Sequence, residues 1–172
     1  LIKYLKDFYP NNRKFSYRFV LLPETIGSIA YLSKFRKEMK KNIICGFNLT
    51  CVGDNRNYSY ISSRSGNNLA DQLLQHALKG LKNVKKYTFL DRGSDERQYC
   101  APGIDLPVCG FSRSKEYKEY HTDKDNFDVV SQKGLEGSFK VMKKIIDNFE
   151  KNIYPKNNIL CEPNLGKRNM YP

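Results

Sequence analysis

A chain of 172 residues, 40% hydrophobic and 28% charged, has the composition of one globular domain with enough apolar material for a core. No apolar run approaches the roughly 18 residues of a spanning helix, so no membrane association is expected, and Leu1-Ile2-Lys3-Tyr4 lacks the pattern of a secretory leader. The net charge of +12 is spread over residues 34–41, 82–86, 143–144 and 167–168 with no groove-reading motif or stacking platform beside it, which argues against a nucleic-acid partner.

The pattern Leu1, Leu5, Phe8 predicts a helix over residues 1–9, closed by Pro10-Asn11-Asn12. The chain opens inside that pattern and without Met, as a piece of a longer protein would. Residues 15–22 alternate and then turn apolar, which predicts a buried strand ended by Pro23. A helix follows from Ile26, with Ile26, Ile29, Ala30, Phe35 and Met39 expected on its buried face. Residues 42–52 and 58–61 are expected as strands around a Gly53-Asp54-Asn55 turn. Asn67 or Asn68 caps the next helix, which should bury Leu69, Leu73, Ala77 and Leu81.

Further strands are predicted at 86–90 and 104–108, with irregular chain over 91–103 and 111–127. Leu135, Phe139, Met142, Ile146, Phe149 and Ile153 repeat at helical spacing up to Pro155. Residues 1–156 thus read as one unit and 157–172 as a tail or linker. Five cysteines without C-x-x-C spacing fit neither a disulfide framework nor a structural zinc knot, and a reducing cytoplasm is expected. Cys45 and Cys51 read as small buried hydrophobes. Strands alternating with helices predict an α/β sheet covered on both faces, with its site in loops at strand ends.

Three polar loops are the candidates: Leu22-Pro23-Glu24-Thr25-Ile26-Gly27-Ser28; Gly93-Ser94-Asp95-Glu96-Arg97-Gln98-Tyr99 ahead of Pro102-Gly103-Ile104-Asp105-Leu106-Pro107; and Tyr120-His121-Thr122-Asp123-Lys124-Asp125-Asn126. Each allows a plain structural role. Glu24 could complement a helix N-terminus, Asp95 and Glu96 could be exposed loop acids, and Arg97 could pair with Asp95 or Asp91. In this order and spacing, however, the loops resemble the aminopeptidase-like domain of bacterial proteins linked to polysaccharide biosynthesis, and more remotely the co-catalytic zinc aminopeptidases and carboxypeptidases.

The resemblance implies a zinc-exopeptidase-like three-layer α/β sandwich with a mixed, mostly parallel sheet, incomplete at its N-terminus. It implies a zinc cofactor and a peptidase or amidohydrolase activity on a peptide or amine-bearing small molecule, in a protein that could form a homo-oligomer. His121 would be a zinc ligand, and Glu24 a ligand or the general base. Asp95, Glu96 and Arg97 would meet substrate, Arg97 by holding a carboxylate, and Asp125 would orient the imidazole or cap the next turn.

The chain also departs from the family. Glu24 is one acid where classical members have two, Thr50 stands where an Asp holds a second zinc, and Glu96 stands where relatives often have His. The first His and the metal-bridging Asp of the family would lie before Leu1. With only His76 and His121 available, a single-zinc site completed from outside is expected, and the chain alone should be inactive. The competing expectation is a non-catalytic module that binds a ligand in the same cleft.

Overall fold

The structure, a computed structural model, describes residues 1–151 and 164–171. Its centre is a four-stranded sheet of β1 (Gly46–Leu49), β2 (Tyr58–Ile61), β3 (Val84–Tyr87) and β4 (Val108–Ser112), in the order β1-β4-β2-β3. β1 runs parallel to β4 and β2 parallel to β3, while β2 and β4 are antiparallel. Among the described residues five α-helices accompany it: α1 (Ile2–Phe8), α2 (Ile26–Asn42), α3 (Leu69–Leu78), the short α4 (Glu96–Tyr99) and α5 (Gln132–Lys151).

β4 is buried at every position because its side chains alternate between two covered faces. Cys109 and Phe111 pack with Leu74, Ala77 and Leu78 of α3 and with Val141, Met142 and Ile145 of α5. Val108 points the other way, to Leu32 and Met39 of α2 and to Cys100 and Leu106. The result is three layers with a mixed, mostly parallel sheet. Each fully buried Phe111 or Leu74 contributes roughly 2 kcal/mol of transfer free energy. A smaller cluster of Tyr4, Leu5 and Ile146 seats α1 on α5.

Several expectations need correction. Residues 15–22 form no strand, and Leu21 is 94% exposed. Alternation supplies a face but no partner. This segment instead rests Phe15 edge-on against Phe149, donates the Tyr17 hydroxyl to Glu150 and pairs Arg18 with Glu38. α2 turns Met39 and Phe35 inward as predicted, but its first half buries Ser28 and Leu32 in place of the predicted Ile26, Ile29 and Ala30, with Ile26 77% exposed. α3 begins at the predicted Asn68, whose side chain and that of Asp71 form a reciprocal capping box. It buries Ala70, Asp71, Leu74, Ala77 and Leu78, with Leu81 exposed.

β3 starts two residues before its predicted position, and its exposed Lys85 and Lys86 blunt a sheet edge. The strand expected at 104–108 begins only at Val108 and runs through a stretch read as irregular, because Gly110 and Ser112 hide its periodicity. α5 buries Val141, Met142, Ile145 and Ile146 but leaves Leu135 and Phe139 exposed. Ile153, Pro155 and residues 157–163 of the expected tail lie outside the described residues, as does Cys161.

Candidate functional site

α2 runs back from its N-terminus to the start of β1, and β1 and β4 are parallel. The opening of α2, the end of β1 and the loop after β4 therefore share one rim of the sheet. The loop of 93–99 leaves β3 and crosses the α2 face to reach them, with Glu96 lying over Gly110 in the middle of β4.

The first part of the rim is a tight turn. Thr25 has φ 61° and ψ −68°, and the Ile26 amide donates to the Glu24 carbonyl at 2.7 Å. This is a three-residue γ-turn of the rare positive-φ kind, strained for any residue with a Cβ and more so for a β-branched one. Gly27 is required beside it, since a Cβ there would sit 2.6 Å from the Leu22 Cβ. Glu24 itself is exposed.

The second part braces the first. Asp95 Oδ1 accepts from the Thr25 amide at 2.7 Å and from the Ser28 hydroxyl at 2.9 Å. Glu96, 2% exposed, accepts from the Gly93 and Ser94 amides at 3.0 and 3.1 Å and from Asn48 Nδ2 at 2.6 Å. Both acids, expected to meet substrate, are buried with their oxygens on backbone amides and neighbouring side chains. Arg97 remains exposed and reaches Thr25 Oγ1 at 3.4 Å.

The third part is the 117–125 turn. The exposed His121 has φ 60° and stacks its ring on Tyr120 at 3.9 Å, while Tyr120 meets Tyr117 at 5.3 Å. The Tyr117 hydroxyl donates to Asp125 Oδ2 at 2.9 Å and lies 3.7 Å from Cys51 Sγ. Asp125, expected to orient His121 or to cap a turn, thus takes its hydrogen bond from Tyr117.

These pieces share one field. Burial raises the Tyr120 hydroxyl, and the charges of Cys51, Glu24 and Asp125 add to it while Arg97 opposes them. Burial also pushes up the Cys51 thiol; Tyr117 pulls the other way, and Asp125, Glu24 and Asp54 add to the rise. Glu24 and Asp125 thus act on both Cys51 and Tyr120, Arg97 acts on Tyr120, and Tyr120 carries the His121 ring stacked on it. Cys51 was expected as a buried hydrophobe. It is half-buried with φ 46°, and its place directly after a strand and before Val52-Gly53-Asp54 was the available signal. His76 is exposed on α3 and takes no part.

Among the described residues, six non-glycine positions have positive φ: Thr25, Cys51, Asn83, Asp105, His121 and Asn169. Asn and Asp tolerate that region best. Thr25, Cys51 and His121 all lie on this rim, in separate segments. Strain of this sort persists where surroundings over-determine it, and functional sites are where it gathers.

Zinc fits the described residues incompletely. Among them no group of three or more His, Cys, Asp or Glu side chains stands close enough to hold a metal ion, and a protein zinc site needs about three ligands.

Layering, sheet order and rim define the class as an α/β protein of the zinc-aminopeptidase fold. A zinc aminopeptidase from Bacillus subtilis superposes with a TM-score of 0.58 at 17% identity, over 72% of this chain and 32% of that one, a likeness of fold alone. The crystal structure of a Clostridium acetobutylicum protein named as a peptidase matches 96% of this chain and 40% of its own, with a TM-score of 0.82 and 37% identity. A Clostridium acetobutylicum protein named for polysaccharide biosynthesis and an aminopeptidase-like domain is 40% identical over 161 residues, which is 92% of this chain and 37% of the relative. Residues 2–152 match the family described as "Domain of unknown function (DUF4910)", and the chain belongs to that family. It spans about two fifths of the length of these Clostridium relatives.

Proposed function

We propose that the protein is an aminopeptidase-like hydrolase of peptide or amide bonds to which this chain contributes Glu24, His121 and Arg97. The supporting observation is that three separate segments each hold a non-glycine residue at positive φ: Thr25 beside Glu24 and within reach of Arg97, Cys51 just beyond β1, and His121 on the turn braced by Tyr117 and Asp125. Glu24 is the group to take a proton from an attacking water and deliver it to a leaving amine. Arg97, exposed beside it, suits a substrate carboxylate or carbonyl. Asp125 and Tyr117 fix the turn that carries His121. Asp95 and Glu96 act through the loop they hold.

Zinc would supply Lewis acidity in this chemistry. His121 would be this chain's ligand to the zinc, with Glu24 kept free as the base, and the remaining ligands would come from the length by which the relatives exceed this chain. The name of the Clostridium relative points to an amine-bearing or sugar-linked substrate met in polysaccharide biosynthesis. A cytoplasmic site of action suits Cys45, Cys51, Cys100 and Cys109, which are free thiols. Among the described residues no helix is long and apolar enough to cross a membrane.

The test is an aminoacyl-anilide assay with added zinc on a protein of the relatives' full length. Glu24→Gln and His121→Ala should each lower turnover on the order of a hundredfold or more, with the fold intact by circular dichroism. A wild-type protein that stays zinc-free and inert across a peptide panel would overturn the reading. One rival is a module that binds an amine-bearing ligand without cleaving it, favoured by Thr50 just beyond β1, where the resemblance implies an acid. In that case calorimetry would show ligand binding that survives Glu24→Gln, with no product.

A further inference from the structure

The turn that carries Glu24 is not held by its own sequence alone. The strained residue, Thr25, is the N-cap of α2, yet its side chain makes no capping hydrogen bond. An ordinary cap accepts from the second or third helical amide. Asp95 does something different: from a loop 70 residues away it takes the amide of Thr25 itself, and the same oxygen lies 2.9 Å from the Ser28 hydroxyl, whose single proton serves either Asp95 or the Thr25 carbonyl, also at 2.9 Å. The amide end of Thr25 is thereby tied to a buried carboxylate, while its carbonyl takes the Ile29 amide of its own helix at 3.0 Å. Arg97, two residues further along that loop, reaches the Thr25 side chain. Released from these contacts, a threonine would relax towards negative φ, and the Glu24 carboxylate would swing with the peptide it is attached to.

We propose that Asp95 is a positioning residue for Glu24: it holds the γ-turn at Thr25 and so aims the Glu24 carboxylate at the rim shared with Cys51 and Tyr120. The choice of Glu24 as the group being aimed rests on the function proposed above; the clamp itself does not. The 93–99 loop thus acts on the reaction without touching substrate, and the direction of Glu24 is set by a hydrogen bond from a distant segment.

Amide hydrogen exchange on the 172-residue chain tests the clamp. In Asp95→Ala the Thr25 amide should exchange on the order of tenfold or more faster, relative to amides of β4 in the same molecule. Asp95→Asn keeps an acceptor oxygen and should change it less. The double variant Asp95→Ala/Thr25→Gly should recover the turn, because glycine adopts positive φ without a clamp. In the full-length protein Asp95→Ala should lower kcat on the order of tenfold with KM nearly unchanged, and Thr25→Gly should restore most of it; an acid that merely stabilised the fold would show no such rescue. Unchanged Thr25 exchange in folded Asp95→Ala, or a double variant that fails to fold or to regain kcat, would overturn the proposal. Should the wild type hydrolyse nothing, the functional reading falls, and the exchange result still decides the clamp.

Discussion

Asp147 illustrates how single residues tie this fold to its solution conditions. It accepts from Tyr4 at 2.5 Å, Tyr9 at 2.6 Å and Lys143 at 2.9 Å. Burial works to raise its carboxyl, but these hydrogen bonds and the lysine charge outweigh burial and hold it down at about 2. A depressed carboxylate contributes stability above its unfolded value and loses it as pH falls through the folded one. Urea unfolding should therefore find Asp147→Asn roughly 1–3 kcal/mol less stable than wild type near neutral pH, with the gap narrowing between pH about 4 and 2. The identity of Asp147 was plain in the sequence, yet its two tyrosine partners come from α1 and the residue after it, far away in the chain, and only Lys143 is local. Glu24, His121 and Arg97 were legible as exposed polar residues in unusual motifs. That Asp95 and Glu96 would turn inward was not, because nothing local to 93–99 shows which amides will stand beside them.

At the scale of elements, the decisive contacts are close approaches that a residue name alone does not reveal. Replacing glycine by alanine inside a helix ordinarily gains up to about 1 kcal/mol. At Gly134 of α5 the new Cβ would lie 2.0 Å from the Gly53 carbonyl oxygen and 2.7 Å from that of Asp54, both backbone. Overpacking of this kind costs roughly 1–3 kcal/mol or more, so the clash wins and Gly134→Ala should lower Tm measurably in a thermal scan. α3 shows the opposite case. Its Asn68 start was readable as a cap, but Asp71 does more than cap, accepting from Tyr60 Oη at 2.8 Å and from the Ser63 amide at 2.9 Å while fully buried. Asp71→Ala strands those donors and should cost about 2–4 kcal/mol by chemical denaturation. Helices were easier to read than strands here for a physical reason. A helix closes its hydrogen bonds within one segment, whereas residues 15–22 needed a partner strand that the fold does not place beside them.

The whole molecule carries two properties that no segment has alone: a charge of +12 and a rim assembled from three loops. With fewer than three grouped donors among the described residues, adding zinc to this chain should shift Tm by no more than about 1 °C. A protein of the relatives' length should be stabilised by zinc in the same fluorescence-based scan, and a large shift in the shorter chain would show that its ligand set is complete. The charge by itself predicts weak polyanion binding that falls steeply between low and physiological salt, measurable as heparin retention. Sequence alone determined the layered α/β class and the positions of α3 and α5, since these follow from periodicity and capping chemistry carried along the chain. Only the tertiary structure decided that β4 lies inside the sheet between β1 and β2, that residues 15–22 join no strand among the described residues, and that Thr25, Cys51 and His121 are all forced to positive φ. Each of those outcomes depends on which segments become neighbours, and a backbone bends into a costly conformation only where contacts from elsewhere compel it.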